Sequence, residues 1–460
     1  MAVGLLTLIL LAFGIINFMG ARSWATTKAE MIEKGYPVTW DELLPPEIAD
    51  EDNFAMSPVF RELVEKGFKT QGDVARKKVD EEMKMRFSKQ FDRLEVKGFS
   101  ALTHIKDLDK RIKDQPEDDA EQKTVEEMLD ESKQGFEDVE LALQRSGSRF
   151  AILYENHLGA LLPHLRYIKR MGKCFLIRSV YHLEEGDTDK AFHDLIQVRK
   201  LADTLDDEPI LISQLVDIVL IHFTLVGIKE GLARAAWTED QMRTLLKELK
   251  NVNMLEQFER AMQGENLFQI TFTEALIGGS SDTQKLLFQD MEVPQIGMLP
   301  KGFFQLNMAV SCNVHMDHFT KQEQIDNRFI SDSNHFTDEE IKALPWYAVL
   351  SKMLLPAFGK AETKFINTQA HLHMALMGLE VELYFKKHGK LPESFDDLKL
   401  PEDTLHRVDP VSGNSLVYER LGDTNYKIYS FGDDRVDGGG KKGDWEWWRV
   451  PPEEEEAGKN

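Results

Sequence analysis

The chain has 460 residues, 42% of them hydrophobic, and a formal net charge of −23 at pH 7. That charge excludes a general nucleic-acid binder, because phosphate contacts need clustered Lys and Arg, and it opposes adhesion to anionic lipid. The hydrophobic fraction excludes a wholly disordered chain, and the length allows several packed units. Two cysteines, Cys174 and Cys312, are too few for a disulfide framework. Two buried thiols are the expectation and a single bond the alternative.

Val3 to Met19 carries no charged residue. At about 1.5 Å per residue it reaches roughly 25 Å, enough to cross a thin hydrocarbon layer. Residues 1–24 are therefore read as an uncleaved single-pass anchor in the cytoplasmic membrane, with the bulk of the chain on the extracytoplasmic side. A cleaved signal peptide and an anchor with a cytoplasmic body are the alternatives. Residues 25–60 read as a tether. Within it Trp40-Asp41-Glu42-Leu43-Leu44 suits one helical turn, stopped by Pro45-Pro46.

Residues 61–365 read as a helical body. Leu63, Phe68, Val74, Val79, Met83, Phe87, Phe91 and Leu94 recur at amphipathic-helix spacing, with a charged loop at Asp114–Asp119. Residues 148–250 are the most apolar part and the expected core. There Leu183-Glu184-Glu185-Gly186-Asp187 separates two helical patterns and Ala191 sits at a small-residue packing position. The pair resembles one helix–turn–helix of the tetratricopeptide type, without a second copy at a fixed period. Ile210 to Ile228 is a second apolar run, but it holds Ser213, Gln214, Asp217 and His222. Placing Asp217 at a bilayer centre costs at least about 2.5 kcal/mol, so a buried bundle helix is expected. Thr238 and Gln241 stand at capping-box spacing, as do Thr337 and Glu340. Residues 251–365 are less regular, with a loop at Gly278–Asp282, an extended stretch from Pro294 to Gly302, and interruptions at Pro345 and Pro356.

Residues 366–450 read as a small α+β tail, followed by an acidic disordered end at 451–460. A helix from Gln369 to Lys387 precedes Asp409-Pro410, a pair of short strands, and the acidic glycine loop Tyr429–Gly440. Asp444 and an aromatic strand close it. Calcium takes six to eight oxygen ligands from flexible, Asp-rich loops. Asp434, Asp437 and Asp444, with Ser430, are the expected ligand set, a Gly/Asp turn that binds nothing being the alternative. The spacing is not that of an EF-hand. Trp445 and Trp447 alternate onto one face of a strand, with Trp448 on the other, and pack on the tail helix or form a docking surface.

Other chemistry is thin. Cys312, His315 and His318 recur every third residue, but the last is turned about 120° from the first on a helix, a poor zinc set. His371 and His373 fall on different helix faces. No Gly-x-Ser-x-Gly elbow or phosphate-cradling Gly-x-x-x-x-Gly-Lys occurs.

The tail's order of elements resembles the globular part of the major pseudopilins of type II secretion systems. Ser430, Gly432 and Asp434 match the start of their calcium loop, and Asp437 and Asp444 stand near its later acids. Arg435 departs from the usual glycine. The resemblance covers about 85 residues and implies an extracytoplasmic location and bound calcium. Near the other end, Gly35-Tyr36-Pro37-Val38-Thr39, Leu43-Leu44-Pro45-Pro46 and Asp52-Asn53-Phe54-Ala55 resemble a family of uncharacterised single-span bacterial envelope proteins with a helical body and a pseudopilin-like tail. The first span lacks the pseudopilin processing motif, so filament incorporation is not implied. Together these give a mainly α protein and a non-enzymatic, membrane-anchored scaffold with a protein partner in the envelope. The alternatives are a metal-dependent envelope hydrolase, with a site near His315 and His318, and an accessory of a type II-like secretion machine.

Overall fold

The computed structural model describes residues 2–61, 63–64, 86–89, 91, 123–155, 160–278, 299–318, 322–329, 338–432, 434–440 and 443–449. Phe68, Val74, Val79, Met83, Leu94, the 114–119 loop, residues 279–282 and 294–298, Thr337 and the 451–460 end lie outside the described residues. The described chain is mainly helical and carries a three-stranded antiparallel sheet near its C-terminal end.

Helix α1, Ala2–Glu33, is apolar and exposed from Leu5 to Met19. From Gly20 onward its character changes. Trp24, Thr27 and Met31 are buried at three- and four-residue spacing, the mark of one face packed on the body. The expected anchor boundary at residue 24 thus falls inside one continuous helix. The contact is made by α10, Lys301–His318. A Cβ on Gly20 would lie 2.3 Å from the Gly302 backbone, and one on Gly302 would lie 2.0 Å from the Ile16 carbonyl oxygen. Only two glycines let these backbones touch. Gly302 N donates to Asn17 Oδ1 at 2.8 Å, and Lys34 pairs with Asp317 at 3.8 Å, so α1 and α10 run parallel.

After α1 the segment expected to be a tether is bound to the body along its length. Trp40 opens the one-turn helix α2, Trp40–Leu43, and is buried between the rings of Tyr154 and Phe268 at 4.6 and 4.8 Å. Asn53 accepts from Arg149 N at 2.8 Å and donates to the Arg149 carbonyl at 2.9 Å, while the Arg149 side chain donates to the Pro45 carbonyl at 2.8 Å. The Pro-Pro and Asn positions of the short motif are therefore the two halves of one joint.

Two short helices follow, α3 at Val125–Glu131 and α4 at Lys133–Ala142. The body's centre is α5, His164–Glu184, α6, Thr188–Asp203, and α7, Leu211–Ala233. Gly186, with φ of +78°, makes the expected α5–α6 turn, and Ser179 Oγ donates to the Ala191 carbonyl at 2.7 Å where the helices close. Helix α7 is the second apolar run. Its hydropathy and length suffice to cross a membrane, but 61% of its most apolar window is buried inside the protein. Helix α8, Glu239–Leu249, starts on the expected Thr238–Gln241 capping box.

Helix α9, Met254–Gly278, runs antiparallel to α10: Lys301 Nζ reaches the Ile277 carbonyl, and His315 meets Glu259 at 3.1 Å. Two short helices, α11 at Gln322–Asn327 and α12 at Asp338–Ala343, lead to the 40-residue α13, Val349–His388. Its first turn is latched to α10, with Asn307 accepting from Leu350 N at 2.9 Å and donating to the Tyr347 carbonyl at 3.0 Å. Further along, Gln369 accepts from Met254 N at 2.8 Å and Phe365 meets Phe258 at 5.2 Å. So α1, α10 and α13 run parallel, and α9 returns between them. The interruption expected at Pro356 does not occur. The proline removes one amide donor near the start of α13, while the Asn307 latch before it and the buried Leu355, Phe358 and Phe365 hold the helix on both sides. The helix expected to begin near Gln369 therefore begins twenty residues earlier, and the 365/366 boundary lies within it.

Gly389, at φ +69°, ends α13 in the left-handed conformation. Strands β1, Val417–Arg420, β2, Tyr426–Ser430, and β3, Trp445–Trp448, pair in order, with Ile428 opposite Trp447. One face lies on α13. There Trp447 is buried against Gly378, where an added Cβ would sit 2.8 Å from its indole nitrogen. Truncating such a ring costs about 3–5 kcal/mol.

Candidate functional site

Two acidic regions are the places where this fold concentrates charge. The first is the tail loop. Asp444 accepts from Gly438 N at 3.2 Å and Gly440 N at 2.6 Å. Asp437 accepts from Gly439 N at 2.9 Å and from the Tyr429 hydroxyl at 3.2 Å. Asp434 accepts from Val436 N at 3.0 Å. Each carboxylate thus caps backbone of the loop itself. Ser430 is turned away and donates to Asp409 Oδ1 at 2.6 Å inside the domain. Asp409 is buried and also takes Val411 N and Ser412 Oγ, at 3.1 and 2.7 Å.

The loop's positive charge comes from Lys427 on β2. Its buried ammonium pairs with Glu419 at 2.8 Å, donates to the Gly440 carbonyl at 3.2 Å, and lies over the rings of Tyr429 and Trp448, each 5.3 Å away. Sequence reasoning missed both Lys427 and Asp409. The signal for Lys427 was a lone cation in the apolar strand Tyr426-Lys427-Ile428-Tyr429. Of the expected tryptophans, Trp445 stacks on His371 at 6.1 Å and Trp447 meets α13 beside it, while Trp448 is half-buried on the opposite face.

The second region is a cavity of about 370 Å³ where the end of α6, the end of α8 and the start of α9 meet. Arg199, Asp203, Asp206, Asp207, Glu248, Glu256, Gln257 and Arg260 line it, with Asn251, Val252 and Asn253. Arg199 is buried and paired with Asp203, and Gln257 donates to Asp206 at 3.1 Å. Behind them Asp217 of α7 is fully buried, with the Gln257 side chain set against its carboxyl. Burial, and then the Asp206 charge, push the Asp217 carboxyl well above the usual range against the pull of Arg199. Burial likewise raises Asp206 to about 6. The lining holds carboxylates, amides and two guanidiniums, but no Ser, Thr, Cys, His or Lys. Among the described residues its chemistry is that of carboxylates, which can bind cations and exchange protons.

Of the histidines weighed in the sequence, those whose side chains are described each have partners within the fold. His315 is buried, with Nε2 on Glu259 and Nδ1 on Asn266. Cys312 is buried, and burial pushes its thiol up to about 12. Both cysteines are free. The side chain of His318 lies outside the described residues. His371 Nδ1 donates to the Asn367 carbonyl at 2.9 Å and His373 Nδ1 to the Val408 carbonyl at 2.6 Å, so the two rings serve different partners. Among the described residues, Glu140, His193 and Asp194 offer metal-ligand atoms within 4.8 Å of one another. Their centre is taken by a cation of the protein: Arg178 binds Glu140 and Asp194, with its guanidinium 3.9 Å from the centre of the Phe136 ring. This cluster ties α4, α5 and α6 together.

No protein-family model, curated protein or solved structure matches this chain.

Proposed function

We propose that the chain is a membrane-anchored scaffold that holds its small tail at a fixed height above a bilayer for a protein partner. The observation that carries this reading is α1 itself. Its apolar residues are exposed from Leu5 to Met19, and without a break it becomes a packed helix of the body. Parallel to it, α13 measures about 60 Å at 1.5 Å per residue and ends beneath the sheet. Its first turn lies at the α1 end of the body and its last turns carry the tail. A binding role accords with the charged lining of the body's cavity.

The tail's order of a long helix followed by three antiparallel strands is in line with its likeness to pseudopilins, and on that likeness the bulk lies outside the cytoplasm. The same feature favours a second reading, as an accessory of a type II-like secretion machine. A reporter active only outside the cytoplasm, fused after Asn460, tests the orientation; an inactive fusion on a stably expressed chain overturns it. Co-purification of secretion-machine components with the chain separates the second reading from a free-standing scaffold. In either case the tail loop is held by Lys427 and by its own backbone bonds, and the reading does not depend on calcium.

A further inference from the structure

We infer that the start of α13, with Trp346 just before it, seats in the headgroup layer of the bilayer that α1 crosses, so that the body rests on the membrane at a second point. This rests on the reading of α1 as an anchor. The patch is plain: Trp346 is 84% exposed and Met353 71%, and Val349, Leu350 and Leu354 stand open beside them. Five large apolar side chains within nine residues, open to water at one end of a body, are a surface that calls for an occupant.

The register of the helices names that occupant. Gly302 of α10 is level with Asn17 of α1, through their 2.8 Å bond. Leu350 is level with Asn307, through their 2.9 Å bond. Five residues of α10 separate the two levels, about 7.5 Å at the rise of a helix. The exposed apolar run of α1 ends at Met19, two residues or about 3 Å past Asn17. Since α1, α10 and α13 run parallel, Leu350 lies about 4–5 Å beyond the edge of the hydrocarbon layer, and Met353, three residues on, about 9 Å beyond it at the water boundary. The headgroup region on each side of a bilayer is about 5–8 Å thick, and Trp is enriched there. Leu299, exposed just before α10, falls on the hydrocarbon side of that edge by the same count. The charge next to the patch along the chain is mixed, Lys342 and Lys352 with Glu339 and Glu340. The attraction is therefore apolar and aromatic, and a zwitterionic lipid suffices.

The test uses the full chain in nanodiscs of phosphatidylcholine, with single spin labels at Leu8→Cys, Leu350→Cys and Val436→Cys. Cys174 and Cys312 are buried and leave the labelling site-selective. Collision with oxygen, which partitions into lipid, is compared with collision with a water-soluble nickel chelate. The expected result is oxygen-favoured collision at Leu8→Cys, a shallower but still several-fold preference for oxygen at Leu350→Cys, and nickel-favoured collision at Val436→Cys in the exposed tail. If Leu350→Cys is as open to nickel as Val436→Cys while Leu8→Cys stays in lipid, the second contact is overturned and the anchor stands. If Leu8→Cys is itself open to nickel, the anchor reading fails. Shielding of Leu350→Cys from both reagents, with dipolar broadening between labels, puts a second copy on the patch and also overturns the inference.

Discussion

The charged cavity of the body and the acidic loop of the tail are both rich in aspartate, yet they settle their charge in opposite ways. In the tail, carboxylates cap backbone amides, and the buried Lys427 supplies the cation. In the body, Asp203, Asp206 and Asp217 crowd around Arg199, and burial raises all three carboxyls. The visible signature of a cation site, aspartates among glycines, marks a loop whose carboxylates also bond its own backbone. The less balanced charge lies in an apolar helix. Local composition reports how many charges a segment has; only long-range packing reports which are paired.

The two regions also respond oppositely to pH. In the tail, burial lowers His371 and His373 to about 3 from 6.5. Between those values the unfolded chain binds protons that the folded tail does not, so stability is present above pH 6.5 and is lost as pH falls. Taking the chain from pH 7 to 5 should weaken the tail by about 2 kcal/mol per histidine. Hydrogen exchange of β2 and the end of α13, followed over that range, should show it. A His373→Asn variant should flatten the slope, and an unchanged slope would break the contrast.

Replacing the loop's internal cation is the next largest change. Lys427→Met leaves the Gly440 carbonyl without its donor and should cost about 1–3 kcal/mol, read as faster exchange in residues 434–440 with the body unaffected. In the cavity the sign reverses. Asp206 and Asp217 have raised folded pKa values, so the native state holds protons that the unfolded chain has released, and stability falls as pH rises from 3.8 through about 6. Asp217→Asn removes that burden. It should stabilise α7 by about 1–2 kcal/mol at pH 7 and by progressively less toward pH 4. Exchange protection of α7 checks this, and destabilisation at pH 7 would show that the carboxylate is used.

The smallest expected effect is that of a chelator. With the loop carboxylates on backbone amides and Lys427 in place, a calcium chelator should leave the melting temperature of the tail unchanged. A clear drop that disappears in Asp434→Ala with Asp437→Ala would instead place calcium in the loop, as expected from its composition.

What was legible in the sequence was what local chemistry fixes. The apolar length of α1, the Gly186 turn, the Thr238–Gln241 cap and the placing of Asp217 inside a bundle all follow from residues within a few positions of one another. The order of the tail's elements was legible for the same reason. What was hidden depends on partners far apart in the chain. Gly302 meets α1 across 285 residues, Asn53 meets Arg149 across 96, and Asn307 latches Leu350 across 43. Pro356 shows the converse, a strong local breaker overridden by packing on either side. Lys427 was passed over because a lysine in a strand ordinarily faces water, and its burial is visible only once the loop folds over it.

The account depends most on α1 crossing a membrane while continuing into the body. Alkaline extraction of membranes from cells expressing the full chain tests this directly, with a Leu8→Arg, Leu11→Arg variant alongside. The full chain should remain in the membrane pellet and leave it only with detergent, while the variant is released. Release of the unaltered chain into the alkaline supernatant would contradict the account.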